Sequence, residues 1–209
     1  MFLTQRENDV LSLIAVFGIT YLPVLEKTYF KNTSVQYARN RVIGNLVHKQ
    51  NLIDVSPTKF RSPRSYLKLS KEGKEYAKSF LGYGTFGKPT FSISTFEWDV
   101  MIQTVYFKLK ENGLEVSFDG KFLIFELEQK NVLLMVELHV EKKEKYIKQF
   151  KKYDDIDVMI FAVRDRLAAT NLLRVVPTSN IDLKIILLDE ITDVALVFYT
   201  MEQLKETSS

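Results

Sequence analysis

Thr33-Ser34-Val35-Gln36-Tyr37-Ala38-Arg39-Asn40-Arg41-Val42-Ile43-Gly44-Asn45-Leu46-Val47 sorts its side chains onto two sides when wound as a helix. Val35, Ala38, Val42 and Leu46, with the neighbours Ile43 and Val47, fall on one side, the recurrence of an amphipathic helix. Gln36, Tyr37, Arg39, Asn40 and Arg41 fall on the other. Thr33 or Ser34 supplies a hydroxyl to cap the first turn. Amides and guanidinium groups in front, with aliphatic groups behind, suit a helix that reads base edges in a DNA major groove.

The flanking segments extend the pattern. Thr4 to Val16 carries the apolar stripe Val10, Leu11, Leu13, Ile14 and Phe17, and Thr4 with Glu7 forms a capping box. Gly18 ends that helix, and Tyr21 to Tyr29 predicts a second with Leu22, Leu25 and Tyr29 inward. Leu52–Val55 and Tyr66–Leu69 predict two strands, joined by a loop whose tip holds Lys59, Arg61 and Arg64. Ser70 caps a last helix, Lys71 to Phe80. This succession predicts a winged helix-turn-helix domain over residues 1–80, with the loop as a basic wing.

Charge follows the same division. Residues 1–80 hold thirteen Lys and Arg against six Asp and Glu, a net +7, while the rest holds sixteen against twenty, a net −4. Such asymmetry points to a polyanion partner for the first part. Winged helices also dock proteins through solvated basic faces; here the cations gather on the reading helix and wing tip, which favours double-stranded DNA.

The bulk numbers bound the rest. A chain of 209 residues with 46% hydrophobic and 12% aromatic side chains forms one or two real cores. The absence of cysteine excludes disulfides, cysteine zinc sites and thiol nucleophiles. The opening Met-Phe-Leu-Thr-Gln-Arg-Glu brings charge too early for a signal peptide, and no apolar run approaches the roughly 18 residues of a membrane span. The expectation is a cytoplasmic protein with no membrane contact.

Three glycines and a proline in Leu81–Pro89 predict a linker over 81–92. The second domain, 93–204, opens on the capping box Ser94-Thr95-Phe96-Glu97 and a helix to about Asn112, with Phe96, Val100, Met101, Val105 and Leu109 inward. Strands follow at Leu114–Phe118, Lys121–Glu128 and Val132–Val140, with turns at Asp119-Gly120 and Gln129–Asn131. Next come a helix from Glu141 to Tyr153, a strand Asp157–Val163, a helix Asp165–Val175, and strands near Lys184–Leu188 and Ala195–Tyr199, before a frayed tail, 205–209. The overall class is α+β, and the first part of the second domain's order, through its fourth strand, is the core arrangement of restriction-endonuclease-like domains.

That fold places one acid on a hairpin and an acid, any residue, then Lys on the third strand; the acids hold magnesium and Lys attends the attacking water. Here the hairpin acid is Asp119, and the strand offers Glu137-Leu138-His139, with Glu137 and His139 on one face. Asp119 and Glu137 would be neighbours and the metal ligands, with His139 in the lysine's place. Lys142 or Lys145 could bring charge from the following helix, and Glu126 and Glu128 are further candidate ligands. His139 could serve as a base, but neutral imidazole is a poor substitute for an ammonium beside a phosphate, so the pattern also reads as a relic, with no cofactor unless the nuclease is active, when magnesium is expected. The helix after the strand carries Lys142, Lys143, Lys145, Lys148, Lys151 and Lys152, either a solvated face or a phosphate contact. His48, at the end of the reading helix, is structural or phosphate-adjacent.

Taken together, the chain resembles the replication-relaxation family of plasmids and integrative elements, which includes plasmid mobilisation proteins. The resemblance lies in Leu3–Leu11 leading to Gln36–Val47, in Phe118-Asp119-Gly120, and in Val136–His139 followed by Lys145-Tyr146, Lys148 and Lys151–Tyr153. Phe118 stands where the family tends to have proline, and His139 where it tends to have a second acid. The resemblance implies a DNA-processing or regulatory role on a mobile element. The first expectation is therefore a double-stranded DNA-binding protein acting in replication, mobilisation or their control, whose nuclease-like domain dimerises or docks other replication proteins. The alternatives are a magnesium-dependent DNA nickase and a transcriptional repressor with a C-terminal sensor domain.

Overall fold

The structure, a computed structural model, describes residues 3–30, 38–57, 65–88, 95–139, 143–150, 152, 155–176, 181–190 and 197–206. The chain is mixed α+β and divides into two compact units, Met1–Phe107 and Lys108–Ser209. Among the described residues no helix is long and apolar enough to cross a membrane.

The first unit starts with α1, Gln5–Phe17, whose capping box is formed as expected: Thr4 Oγ1 accepts from Glu7 N–H and the Glu7 carboxylate accepts from Thr4 N–H at 2.8 Å. Val10, Leu11, Leu13 and Ile14 are buried along it. Gly18 closes the helix with φ 81, and its N–H bonds Ile14 O at 2.7 Å. Next comes a two-residue strand, β1, Thr20–Tyr21, then α2, Leu22–Lys27. The sequence reading carried Tyr21 into the helix; instead Tyr21 pairs with Tyr66, and Thr20 with Leu67. Strands β2, Ile53–Pro57, and β3, Ser65–Leu69, form an antiparallel hairpin, and β1 adds to β3 to give the order β1-β3-β2.

Helix α3, Lys71–Leu81, is capped by Ser70, whose Oγ accepts from Gly73 N–H at 2.9 Å and donates to Asn51 O at 2.6 Å. Gly73 is required by closeness: a Cβ there would lie 2.0 Å from the Leu52 carbonyl oxygen. The stretch expected to be a linker is partly docked. Gly87 N–H bonds Ala15 O at 2.8 Å, and a Cβ on Gly87 would meet Val16 O at 2.4 Å. These contacts, with Tyr83 N–H on Ala77 O at 3.2 Å, attach residues 83–87 to the helices before them.

The division between units falls inside helix α4, Phe96–Glu111, and not in the glycine-rich stretch. Polar and aromatic contacts hold the first part of α4 to the elements before it. Gln103, buried on α4, accepts from Thr20 Oγ1 at 2.7 Å and donates to Ile19 O at 3.0 Å. Tyr21 Oη donates to Asp99 Oδ2 at 3.0 Å, and Thr95 Oγ1 donates to the same oxygen at 3.3 Å. The Tyr21 ring meets Phe96 edge-on at 4.8 Å. Spacing predicted Phe96, Val100 and Met101 inward; they are only half-buried, whereas Ile102, Val105 and Leu109 are fully so. Burial raises the Asp99 carboxyl to about 6, against the hydrogen bonds from Tyr21 and Thr95 that lower it.

The second unit holds a six-stranded sheet, β4-β5-β6-β7-β8-β9. Its strands are Val116–Phe118, Leu123–Leu127, Lys130–Glu137, Val158–Val163, Asp182–Leu187 and Tyr199–Thr200. β4, β5 and β6 are antiparallel neighbours, β6, β7 and β8 run parallel, and β9 is antiparallel to β8. The parallel strands explain the apolar runs of the sequence: every residue of Val158–Val163 is buried, as expected of a strand covered on both faces. Helices α5, Lys143–Phe150, and α6, Arg166–Val175, make the two crossovers, and α7, Met201–Glu206, follows β9. One face, Leu133, Met135, Met159, Phe161, Ile185 and Leu187, packs with Tyr146 of α5, Leu172 of α6 and Leu204 of α7. The expected tail therefore begins inside a helix, which holds Leu204 in this core.

One turn and one strand end differ from expectation. The β5–β6 turn is Glu128-Gln129, both at positive φ (52 and 63), and not Gln129–Asn131. Two left-handed residues suit a two-residue hairpin because its twist matches that of the strands. Strand β6 ends at Glu137, three residues earlier than expected, so His139 lies outside it.

Candidate nucleic-acid interface

Residues 38–49 are helical but wound more widely than an α-helix, as π-type turns over Ala38–Ile43 and Asn45–Lys49. The bond from Gln50 N–H to Asn45 O (2.9 Å) spans five residues, and that from Leu52 N–H to Leu46 O (2.8 Å) spans six. These long bonds draw the last turns open as the chain swings into β2. Of the expected inward side, Val35 and the side chain of Ala38 lie outside the described residues. Val42, Ile43 and Leu46 are buried, and Val47 is half-buried. Asn45 Nδ2 donates to Glu7 Oε1, tying this segment to the cap of α1. Burial pushes the Glu7 carboxyl up, but bonds from the Thr4 N–H, the Asn45 amide and the Thr4 hydroxyl outweigh it and hold the group below the usual carboxylate range.

Arg41 is exposed on this segment, away from Val42. Arg39 and Asn40 are placed in it by their backbone; their side chains, and Gln36 and Tyr37 entirely, lie outside the described residues. His48 is exposed at its end. The hairpin β2–β3 is in register from Ile53↔Leu69 to Pro57↔Ser65. Its tip, with Lys59, Arg61 and Arg64, also lies outside the described residues. Lys68 and Asp54, partners across the hairpin, approach to 3.8 Å, an exposed pair worth at most about 1 kcal/mol. Arg6 lies over the Phe30 ring at 5.9 Å.

The acidic candidates of the second unit spread over the sheet. Asp119 directs its carboxylate into its own turn: Oδ1 accepts from Lys121 N–H at 2.9 Å and Phe122 N–H at 2.7 Å. It follows β4, whereas Glu137 ends β6, and β5 runs between. Their backbones share one end of the sheet but stand two strand spacings apart, about 10 Å. Glu126 pairs with Asn131 at the opposite end of β6, and Glu128 sits in the turn. Six residues of strand separate Asn131 from Glu137, about 20 Å, so Glu126 and Glu128 cannot join a site with Glu137. His139, past the strand end, does not share the Glu137 face by strand alternation, and it is exposed. Lys142 lies outside the described residues, and Lys145 is half-buried on α5. Among the described residues no three His, Asp or Glu converge as metal ligands would.

The sequence missed three groups that build this region: Thr20 and Tyr21 of β1, Gln103, and Asp99. A two-residue strand has no period to detect. Gln103 and Asp99 read as solvent-facing because their partners lie far back in the chain.

Comparisons with family models, with curated proteins and with solved structures find no match to this chain.

Proposed function

We propose that the protein binds double-stranded DNA through its first unit, acting in replication, mobilisation or their control on a plasmid or integrative element in the cytoplasm. The first unit is read as a winged helix, with residues 38–49 as its reading element and the β2–β3 hairpin as its wing. The observation that carries this reading is the two-sidedness of that element: Arg41 is exposed, while Val42, Ile43 and Leu46 hold the segment to the core. The +7 excess of residues 1–80 supports it, and the resemblance to replication-relaxation proteins supplies the mobile-element setting. The second unit is read as a restriction-endonuclease-like domain used for dimerisation or docking. The engagement of Asp119 in its own turn and the place of His139 beyond β6 support this over cleavage.

Gel shifts with duplex DNA, beside supercoiled plasmid incubated with magnesium or manganese, test the proposal. Replacing Arg39 and Arg41 by Ala should weaken specific binding by roughly tenfold or more, since one good base contact is worth about 1–3 kcal/mol. Replacing Lys59, Arg61 and Arg64 by Ala should lower the slope of log affinity against log salt by about 1 per phosphate contact. Unchanged binding by both variants refutes the DNA reading. Metal-dependent nicking abolished by Glu137→Ala refutes the docking role of the second unit.

A further inference from the structure

Helix α1 and the segment 38–49 are joined by a polar contact between Glu7 and Asn45. Glu7 is buried at the start of α1, yet each of its carboxylate oxygens has a donor. Oε2 accepts from the Thr4 N–H at 2.8 Å and from the Thr4 hydroxyl at 2.9 Å. Oε1 is thereby left to face the segment, where it accepts from Asn45 Nδ2 at 2.5 Å. The two bonds to Thr4 hold the carboxylate in place, and a hydrogen bond to an ionised acceptor is roughly twice as strong as a neutral one. The backbone of Asn45 is engaged too: its carbonyl accepts from Gln50 N–H at 2.9 Å, in the wide turn that leads towards β2.

This contact supplies what the apolar anchors lack. Val42, Ile43 and Leu46 hold the segment to the core, but the hydrophobic effect is non-directional. The segment's wide turns also lack the regular i to i−4 ladder of an α-helix. A hydrogen bond weakens steeply as it bends, so the bond between Glu7 and Asn45 selects one rotation of the segment about its axis. Arg41 stands four residues before Asn45, about one turn away. Base edges are read by groups at fixed positions, whereas phosphate contacts carry no sequence information. A segment free to rotate therefore keeps its charge near the phosphates and loses its aim at the bases.

We propose that Glu7 and Asn45 are positioning residues for sequence recognition: through their bond the cap of α1 sets the rotation of the reading segment, and with it the selectivity among duplex sequences. The inference rests on the reading of the first unit as DNA-binding. Neither side chain needs to touch DNA.

The test uses the full chain, with a duplex that wild type selects from a random pool and a duplex of mixed sequence, well below the melting temperature of each variant. Asn45→Ala removes the bond without changing charge. It should narrow the preference for the selected duplex by about tenfold, the share of one good base contact, and leave the affinity and salt slope on the mixed duplex as in wild type. Asn45→Asp sets two carboxylates face to face and should narrow the preference further. Combining it with Glu7→Gln restores the bond with its polarity reversed: the new amide oxygen keeps Thr4, and the new –NH2 donates to the carboxylate at position 45. That double variant has the wild-type net charge and should regain most of the preference, a coupling that a double-mutant cycle reads directly. If Asn45→Ala lowers only the melting temperature and leaves the preference intact, the bond is structural and the inference is overturned. A double variant no better than Asn45→Asp alone overturns it as well. If Arg39→Ala with Arg41→Ala abolishes the preference while Asn45→Ala does not, the DNA reading survives the failure of the inference. A wild-type chain that binds no duplex overturns both.

Discussion

Asp99→Asn should stabilise the protein at neutral pH. The carboxyl is drawn from water between α4 and β1, and burial raises it from 3.8 to about 6. The folded form thus holds the proton more tightly than the unfolded chain, whose aspartate titrates near 3.9. Stability from this group is fully present below that unfolded value and is lost as pH rises through about 6. At 1.36 kcal/mol per unit, the ceiling on the cost of the charged form is about 3 kcal/mol. Asp99 is only half-buried, so solvent screening reduces this to about 1–2 kcal/mol. Asparagine keeps an oxygen to accept from Tyr21 and Thr95 but carries no charge to desolvate. Urea unfolding of both proteins should show the variant ahead by about 1–2 kcal/mol at pH 7.5, with the gap narrowed by about 1 kcal/mol at pH 5. Groups other than Asp99 titrate in both proteins and cancel in the difference. A variant less stable than wild type at pH 7.5, or a gap independent of pH, would show that charge-assisted bonding at Oδ2 outweighs desolvation and would refute the reasoning.

Two further substitutions probe the first unit. Gln103→Leu leaves the buried Thr20 hydroxyl and the Ile19 carbonyl without their amide partner, and should cost about 1–3 kcal/mol in urea unfolding; a neutral result would mean that β1 is not held by this amide. Gly73→Ala drives a methyl onto the Leu52 carbonyl oxygen and should cost about 1–3 kcal/mol through forced backbone shifts, whereas Ala at Gly84, where nothing lies within 4 Å of an added Cβ, should not. Equal melting temperatures for the two would sink the close-approach argument.

Local chemistry was legible in the sequence wherever one short segment contains both partners of an interaction. Thr4 with Glu7 and Ser70 with Gly73 are caps made within three residues, and each set the start of a helix correctly. The Asp119-Gly120 hairpin and the apolar strand Val158–Val163 were legible for the same reason, since turn chemistry and burial pattern are written residue by residue. Helix α4 was visible as a helix, but its partner was not. Its contacts with the first unit include Asp99 and Gln103 meeting residues 78 and 83 positions earlier and Tyr106 meeting Phe17, and a side chain buried by so distant a contact is not marked by local pattern. Strand β1 has two residues and exists only because β3 lies beside it. The candidate acids divide likewise. The sequence determined that Asp119, Glu126, Glu128 and Glu137 lie on or beside strands. Sheet register alone decided that Glu126 of β5 stands beside the start of β6 while Glu137 ends it, and that Asp119 and Glu137 are held apart by the width of β5. A strand's length and its neighbour are tertiary quantities, fixed by hydrogen bonds between segments and not by the order of residues within one.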